Sequence, residues 1–334
     1  MEQREKMLFV FNPHAGKGLI QKNLCDIINM FTAGGYDVLA YPTQAQGDGY
    51  QKIVSVGKEY DIIVCSGGDG TLSESVGAVM KLRESDKELK IPLGYIPAGS
   101  TNDFANSLGI SKKMLQAAFG IIEGETFDCD MGQFNDDYFV YVAGFGAFTD
   151  VSYETSQTMK NRFGHAAYIA EALKRLPKIS GQTVTVEHDG ETITGNFILG
   201  LVSNSRSIGG MKKLISKDVS FDDGLFEVVL AKTPKNAFEL NSLIGNAAKN
   251  KLTDKNFVTF KASNIVFKSE NEIPWTRDGE AGGVHKEVTI KNHQQAIRFI
   301  LTSDKVDTEH QSAPLNEDSG QPDYIIEDQE DIET

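Results

Sequence analysis

Apolar residues follow two different rhythms along this chain. In its first part, short unbroken apolar runs alternate with segments of helical spacing. Residues 7–12 read as a first strand. Ile20, Leu24, Ile27 and Phe31 then recur at helical spacing, and Gly34-Gly35 supplies a stop. Residues 36–41 read as a second strand, 49–59 as a weak helix and 61–65 as a buried third strand. Residues 72–80 then read as a helix, 91–97 as a strand punctuated by proline, and 101–108 and 112–123 as helices. This alternation predicts a parallel sheet with helices on both faces, whose ligands bind beyond the carboxyl ends of the strands.

Beyond about residue 127 the pattern shortens to strands, at 138–143, 183–187, 192–201, 226–231, 257–260, 264–268 and 287–290. His188-Asp189-Gly190 is a hairpin signal between two of them. Helices are expected over 162–176 and 235–249. The fold class predicted is therefore α/β plus all-β: a doubly wound nucleotide-binding domain over 1–127, then a β-sandwich domain over 128–302.

Composition adds three points. The 334 residues are 40% hydrophobic and 24% charged, ordinary for a globular protein. The net charge of −14 is unevenly placed: 303–334 holds eleven acidic residues and one lysine, leaving a body near −4. That tail has a disordered composition, and the acidity argues against nucleic acid as a partner. No window resembles a membrane-spanning helix, and the beginning of the chain lacks the apolar core of a signal peptide. Cys25, Cys65 and Cys129 form neither a zinc spacing nor a disulfide framework, so a reducing cytoplasm is the expected compartment.

Candidate chemistry sits where strands turn into helices. Gly67-Gly68-Asp69-Gly70-Thr71 follows the third strand and opens the next helix, with Glu74 one turn later. Glycines there let the backbone approach a ligand, and the free N–H groups of a first helical turn attract phosphate. A carboxylate would repel a bare phosphate, so Asp69 points to a metal ion or a proton transfer. Asn12-Pro13-His14-Ala15-Gly16 ends the first strand, but it is not a Walker A loop. That motif's first glycine would fall on Phe11, and no Ser or Thr follows Lys17. Ser100 and Thr101 are candidate N-caps of the helix that contains Asp103. Far along the chain, Asp278-Gly279-Glu280 reads as a turn that could carry a carboxylate pair to the same cleft. Glycine-rich helix starts with carboxylates supply most of what phosphoryl transfer needs.

These segments, in this order and with Gly99-Ser100-Thr101-Asn102-Asp103-Phe104, resemble the bacterial soluble diacylglycerol and lipid kinase family, related to the sphingosine kinases. Gly-Gly-Asp-Gly-Thr alone is shared with NAD kinases and phosphofructokinases, and an NAD kinase is the nearest rival reading. Lipid kinases of other acceptors, such as a sphingoid base, and a non-catalytic relative are further alternatives. The resemblance covers about residues 7–301. It implies an ATP site lined by Asn12, Pro13, His14, Ala15, Gly16, Thr43, Gly67, Gly68, Asp69, Gly70, Thr71, Leu72, Ser73 and Ser100. It implies Asp278 as general base on the lipid hydroxyl, with Asp69, Asp103 and Glu280 networked through water around Mg²⁺. It also implies a second, structural metal loop held by Ser220, Asp223 and Leu225. Residues 44–48 depart from the family pattern. A membrane lipid as substrate, transient contact with the inner membrane face through Lys160, Arg162, Lys174, Arg175, Lys178, Lys212 and Lys213, and a homodimer complete the expectations.

Overall fold

The computed structural model describes residues 4–16, 18–146, 181–208, 211–212, 219–248 and 255–306. The expected helix over 162–176, the lysines and arginines between 160 and 178, Lys213 and the tail beyond 306 lie outside the described residues, as does the side chain of Lys212.

The first half is built as the apolar rhythm predicts. Strands β1 (Glu5–Phe11), β2 (Tyr36–Pro42), β3 (Ile62–Gly67) and β4 (Leu93–Pro97) run parallel in the order β4-β3-β1-β2. Helices α1 (Leu19–Ala33), α2 (Asp48–Val56) and α3 (Asp69–Ser85) connect them. Every residue of β3 and β4 is buried, as a strand covered on both faces must be. One layer packs Met7, Phe9, Ile20, Ile27, Phe31 and Ile121 together. Another packs Leu8, Val10, Ile63, Leu72, Val76 and Val79. The helix predicted over 101–108 is shorter. It is α4 (Asp103–Ser107), and the position before it is held by Asn102 at φ 53, without a side-chain cap, rather than by Ser100 or Thr101. Helix α5 (Met114–Ile122) follows.

The second half departs from the reading in strand length. β5 (Glu125–Phe134) and β6 (Asp137–Phe139) precede β7 (Val142–Gly146), so the strand expected over 138–143 is two. β8 (Gln182–His188) and β9 (Glu191–Ser203) form the expected hairpin, with Asp189 at φ 46 and Gly190 at φ 84. A two-stranded ribbon, β10 (Ser207–Ile208) and β11 (Met211–Lys212), precedes β12 (Phe226–Lys232), α6 (Ala237–Ala248) and β13 (Phe257–Ala262). The segments read as 264–268 and 287–290 are the start of one much longer strand, β14 (Asn264–Arg277), and the middle of another, β15 (Glu280–Leu301). Register shifts between Lys268 and Ile273, and between His293 and Ile297, break the two-residue alternation that would have shown their full length.

Apart from the β10–β11 ribbon, the described strands form one 13-stranded sheet that runs through both halves. In its second half the sheet curls around a core of Phe134, Phe139, Phe145, Phe197, Phe226 and Trp275. Trp275 lies 4.9 Å from Phe145 and 5.1 Å from Phe267, in edge-on packing. At its far end β15 pairs with β5 over Ile297–Leu301 and sets Phe299 beside Leu93 of β4. The last described strand therefore completes the parallel sheet that the first residues begin.

Candidate active site

Register places the candidate loops together. Phe11 pairs with Pro42 and with Ser66, and Gly67 pairs with Pro97. The four parallel strands thus end level, and the loops carrying Asn12, Thr43, Gly68 and Gly99 leave one edge of the sheet. Short hydrogen bonds stitch them: the Asn12 amide donates to the Ser66 carbonyl (2.9 Å), Thr43 to Phe11 (2.9 Å) and Ala98 to Gly67 (2.7 Å). Asn12 also folds its own loop, its Oδ1 accepting from the His14 amide (2.9 Å). The Asn102 side chain donates to the Gly99 carbonyl (2.8 Å) and accepts from the Gly99 amide (3.0 Å), which explains its left-handed backbone.

Gly16 has φ +57, and a Cβ there would run into the Ala98 carbonyl oxygen. Gly16→Ala is therefore expected to force two loops apart. Left-handed strain alone is worth about 1–3 kcal/mol, and the clash adds to it. Isothermal titration should show weakened ATP binding with little change in far-UV circular dichroism.

The fourth loop comes from the second half. Arg277 pairs with Glu280, so Asp278 and Gly279 form a two-residue turn, with φ values of 49 and 82. Primed turns of this kind favour Asp-Gly, which is the local reason the sequence folds so. The tip of this hairpin reaches the glycine turn. A Cβ on Gly70 would sit 2.6 Å from Glu280 Oε1. Asp278 is buried, 5% exposed. Its Oδ1 accepts from the amides of Tyr141 (2.9 Å) and Val142 (3.2 Å), and its Oδ2 accepts from the Val140 amide (2.8 Å) and Ser73 Oγ (2.8 Å). Burial pushes its pKa above the ordinary carboxylate value, while those four donors pull the other way.

Asp69 is the second buried carboxylate. Burial, then the charges of Asp103 and Asp278, push its pKa up to about 7, against the amides of Phe104 and Asn102. Its Oδ1 is buried with no hydrogen-bond partner. Glu280 is raised by burial and by Asp278, and Glu74 by burial, Glu280 and Asp48. An orphaned carboxylate oxygen beside further negative charge fits a divalent cation. Among the described residues no three acidic, imidazole or thiolate groups converge on one point. Mg²⁺ takes one or two carboxylates and fills its shell with water and substrate phosphate, so Asp69 is the residue that would hold it here.

Leu72 contributes its side chain to the core rather than to the cleft, and Ala15 is likewise buried, whereas His14 and Ser100 are exposed beside the loops. The divergent residues 44–48 face the carboxylates: Gln46 Nε2 donates to Glu280 (3.3 Å) and the Gly47 amide to Glu74 (2.8 Å). Sequence reading missed Gln46, Tyr95, Asn102 and Tyr141. Tyr95 donates its hydroxyl to the Gly67 carbonyl at 3.2 Å. An Asn directly before a helix was the available signal for Asn102. Nothing local marks Tyr141, which acts through its amide.

The second loop is differently placed. Asp223 Oδ1 accepts from the Leu225 amide (3.0 Å), Asp223 Oδ2 pairs with Lys261 (3.4 Å), and Ser220 Oγ donates to Asp222 (2.6 Å). Lys261 also pairs with Glu227 at 3.0 Å. The Asp223 carboxylate is thus paired with an ammonium in this structure. The loop is held to β5 and β15 by Asp130, which accepts from the Gly224 amide (2.6 Å) and the Gln295 amide (2.8 Å).

Comparison with known proteins agrees with this architecture. The diacylglycerol kinase catalytic domain matches residues 6–134, and the YegS C-terminal NAD kinase beta sandwich-like domain matches 140–300. A diacylglycerol kinase of Bacillus subtilis (strain 168) is 31% identical over 82% of this chain and 89% of its own length. One of Staphylococcus carnosus (strain TM300) is 31% identical over 92% and 98%. A crystal structure from Bacillus anthracis str. Sterne, assigned as a diacylglycerol kinase, superposes with a TM-score of 0.77 at 25% identity. It covers 91% of this chain and 97% of that one. Two domain models spanning nearly all the described residues, in the order the two apolar rhythms set, place this chain in the diacylglycerol kinase family of lipid kinases.

Proposed function

We propose that this enzyme transfers the γ-phosphate of ATP to the primary hydroxyl of diacylglycerol, giving phosphatidic acid. The observation that carries the reading is the meeting of Asp278, from the β14–β15 turn, with Ser73 on the helix that opens at Asp69. A base from the second half thus stands beside the phosphate-binding turn of the first. The loops carrying Asn12, Thr43, Gly68 and Gly99 bind the nucleotide through backbone amides and orient its terminal phosphate toward the cleft. Asp69 would hold Mg²⁺ through its orphaned oxygen, with Asp103 and Glu280 reaching it through water. The cation supplies charge neutralisation at the transferring phosphoryl group. Asp278 accepts the proton of the attacking hydroxyl. Among the described residues no helix is long and apolar enough to cross a membrane, so we propose that the enzyme meets its acceptor by transient contact with the bilayer.

Transfer of label from γ-³²P-ATP tests this, with Mg²⁺ and with diacylglycerol in mixed micelles, sphingosine and NAD offered in parallel. Label in phosphatidic acid is the expected result. Label in NADP would overturn the lipid reading, and label in sphingosine phosphate alone would move the acceptor.

A further inference from the structure

The acidic residues beyond Val306 take no part in the site, yet they leave the fold beside a surface that suits them. Val306 is 5% exposed and belongs to the same core as Leu108. The residue before it lies on the connection between α4 and α5, where a Cβ on Gly109 would sit 2.8 Å from Lys305 Cδ. Residues 307–334 therefore depart next to the segment that opens α5.

That segment stands out in a chain of net charge −14. From Phe104 to Ile122 it has no acidic residue and two lysines, Lys112 and Lys113. Both are exposed, and among the described residues neither pairs with a carboxylate. The turns that follow are apolar and open. Leu115 is 37% and Phe119 56% exposed, four residues apart on one face of α5. Helix α1 lies alongside, with Asn23 Nδ2 3.8 Å from Met114 Sδ, and Leu19, one turn before Asn23, is 46% exposed. Apolar side chains grouped on a surface and rimmed by charge mark an interaction site.

The departing chain has the complementary pattern. Residues 307–334 hold ten carboxylates and no lysine or arginine. Among them Tyr324-Ile325-Ile326 stands between Asp323 and Glu327-Asp328. Tyr324 follows Val306 by 18 residues, a reach of up to about 60 Å. Helix α5 has nine residues, a length of about 13 Å, so the triplet can pass the lysines and lie along it.

We propose that residues 307–334 fold back onto the face made by α5 and the start of α1. Tyr324, Ile325 and Ile326 cover Leu115, Phe119 and Leu19, and the flanking carboxylates pair with Lys112 and Lys113. Because both sides belong to one chain, the contact is intramolecular and needs only modest complementarity. The seated segment borders the loop of Gly99 and Ser100, since Lys112 Nζ donates to the Thr101 carbonyl at 3.4 Å.

Photocrosslinking in the full chain tests this. With a benzophenone side chain at position 119, irradiation should join that position to peptides from 320–334. In an equal mixture of isotopically heavy and light chains, each product should be wholly heavy or wholly light. Ile325→Ser with Ile326→Ser should lower the yield about tenfold or more, in line with the apolar surface lost. This variant changes no residue of the described fold. Lys112→Glu with Lys113→Glu should lower the yield as well. Salt at about 1 M, where the screening length is about 3 Å, should do the same to the wild-type chain. A probe at position 39, where Leu39 is 40% exposed on the edge strand β2, reads random encounter. No product with 320–334 from position 119, or the same yield from position 39, overturns the docking. An unchanged yield in either double variant overturns it too. Mixed heavy–light products would assign the face to a second copy, and capture of added phosphatidylglycerol vesicles alone would assign it to a lipid surface; each overturns the proposal.

Discussion

Asp278→Ala is expected to abolish turnover while leaving ATP bound. Loss of a positioned base costs typically 10²–10⁴-fold in rate, and no other carboxylate lies within the Val140–Val142 amide clamp. The substitution should also destabilise the fold. Three backbone amides would keep their burial and lose their acceptor, and each unsatisfied donor costs about 1–3 kcal/mol. Asp278→Asn tests the same point with the shape retained. Its amide can satisfy donors at only one end, so one half of the clamp would face NH₂ with N–H and O–H. A lowered midpoint in thermal unfolding, an unchanged ATP titration and absent lipid phosphorylation together are the expected result. Wild-type kcat in Asp278→Ala would remove Asp278 from the chemistry altogether.

Asp69→Asn should act in opposite directions on function and on stability. Asp69 binds its proton more tightly in the fold, with a pKa near 7, than in the unfolded chain, where carboxylates ionise near 3.8. A group whose folded pKa is raised makes the folded state bind more protons. Stability then falls as pH rises between the two values and is level beyond them. At pH 8 the ligand-free enzyme bears that cost in full, on the order of a few kcal/mol. Asp69→Asn removes it and should raise the unfolding midpoint at pH 8, with little effect at pH 4, measured without Mg²⁺. The same change removes the orphaned oxygen and should abolish Mg²⁺-dependent nucleotide binding and turnover. An unchanged Mg²⁺ requirement would show that the cation is held elsewhere.

Much of this site was legible before the fold was known, because its parts use strong local rules. Glycine at a strand–helix turn, an Asp-Gly pair in a two-residue hairpin and an apolar run for a buried parallel strand each declare themselves within a few residues. What could not be read is long-range. The length of β14 and β15 was hidden by bulges. β5 was passed over although Phe127, Cys129 and Met131 alternate, because acidic residues between them broke the apolar run. The clamp on Asp278 consists of the amides of Val140, Tyr141 and Val142, whose side chains carry no mark of that role. Lys261 is set opposite Glu227 by the pairing of β12 with β13, which no local pattern encodes.

The course of β15 has a consequence for the order in which this enzyme comes into being. On the ribosome the parallel strands are made first, but the edge of β4 is covered only when Phe299 arrives, some two hundred residues later. Through most of synthesis the nascent first half carries an open sheet edge, a ready template for wrong pairing. The glycine-rich loops at the sheet edge likewise wait for the hairpin tip that reaches them. Neither half is finished before the other, so their maturation waits on the last described strand.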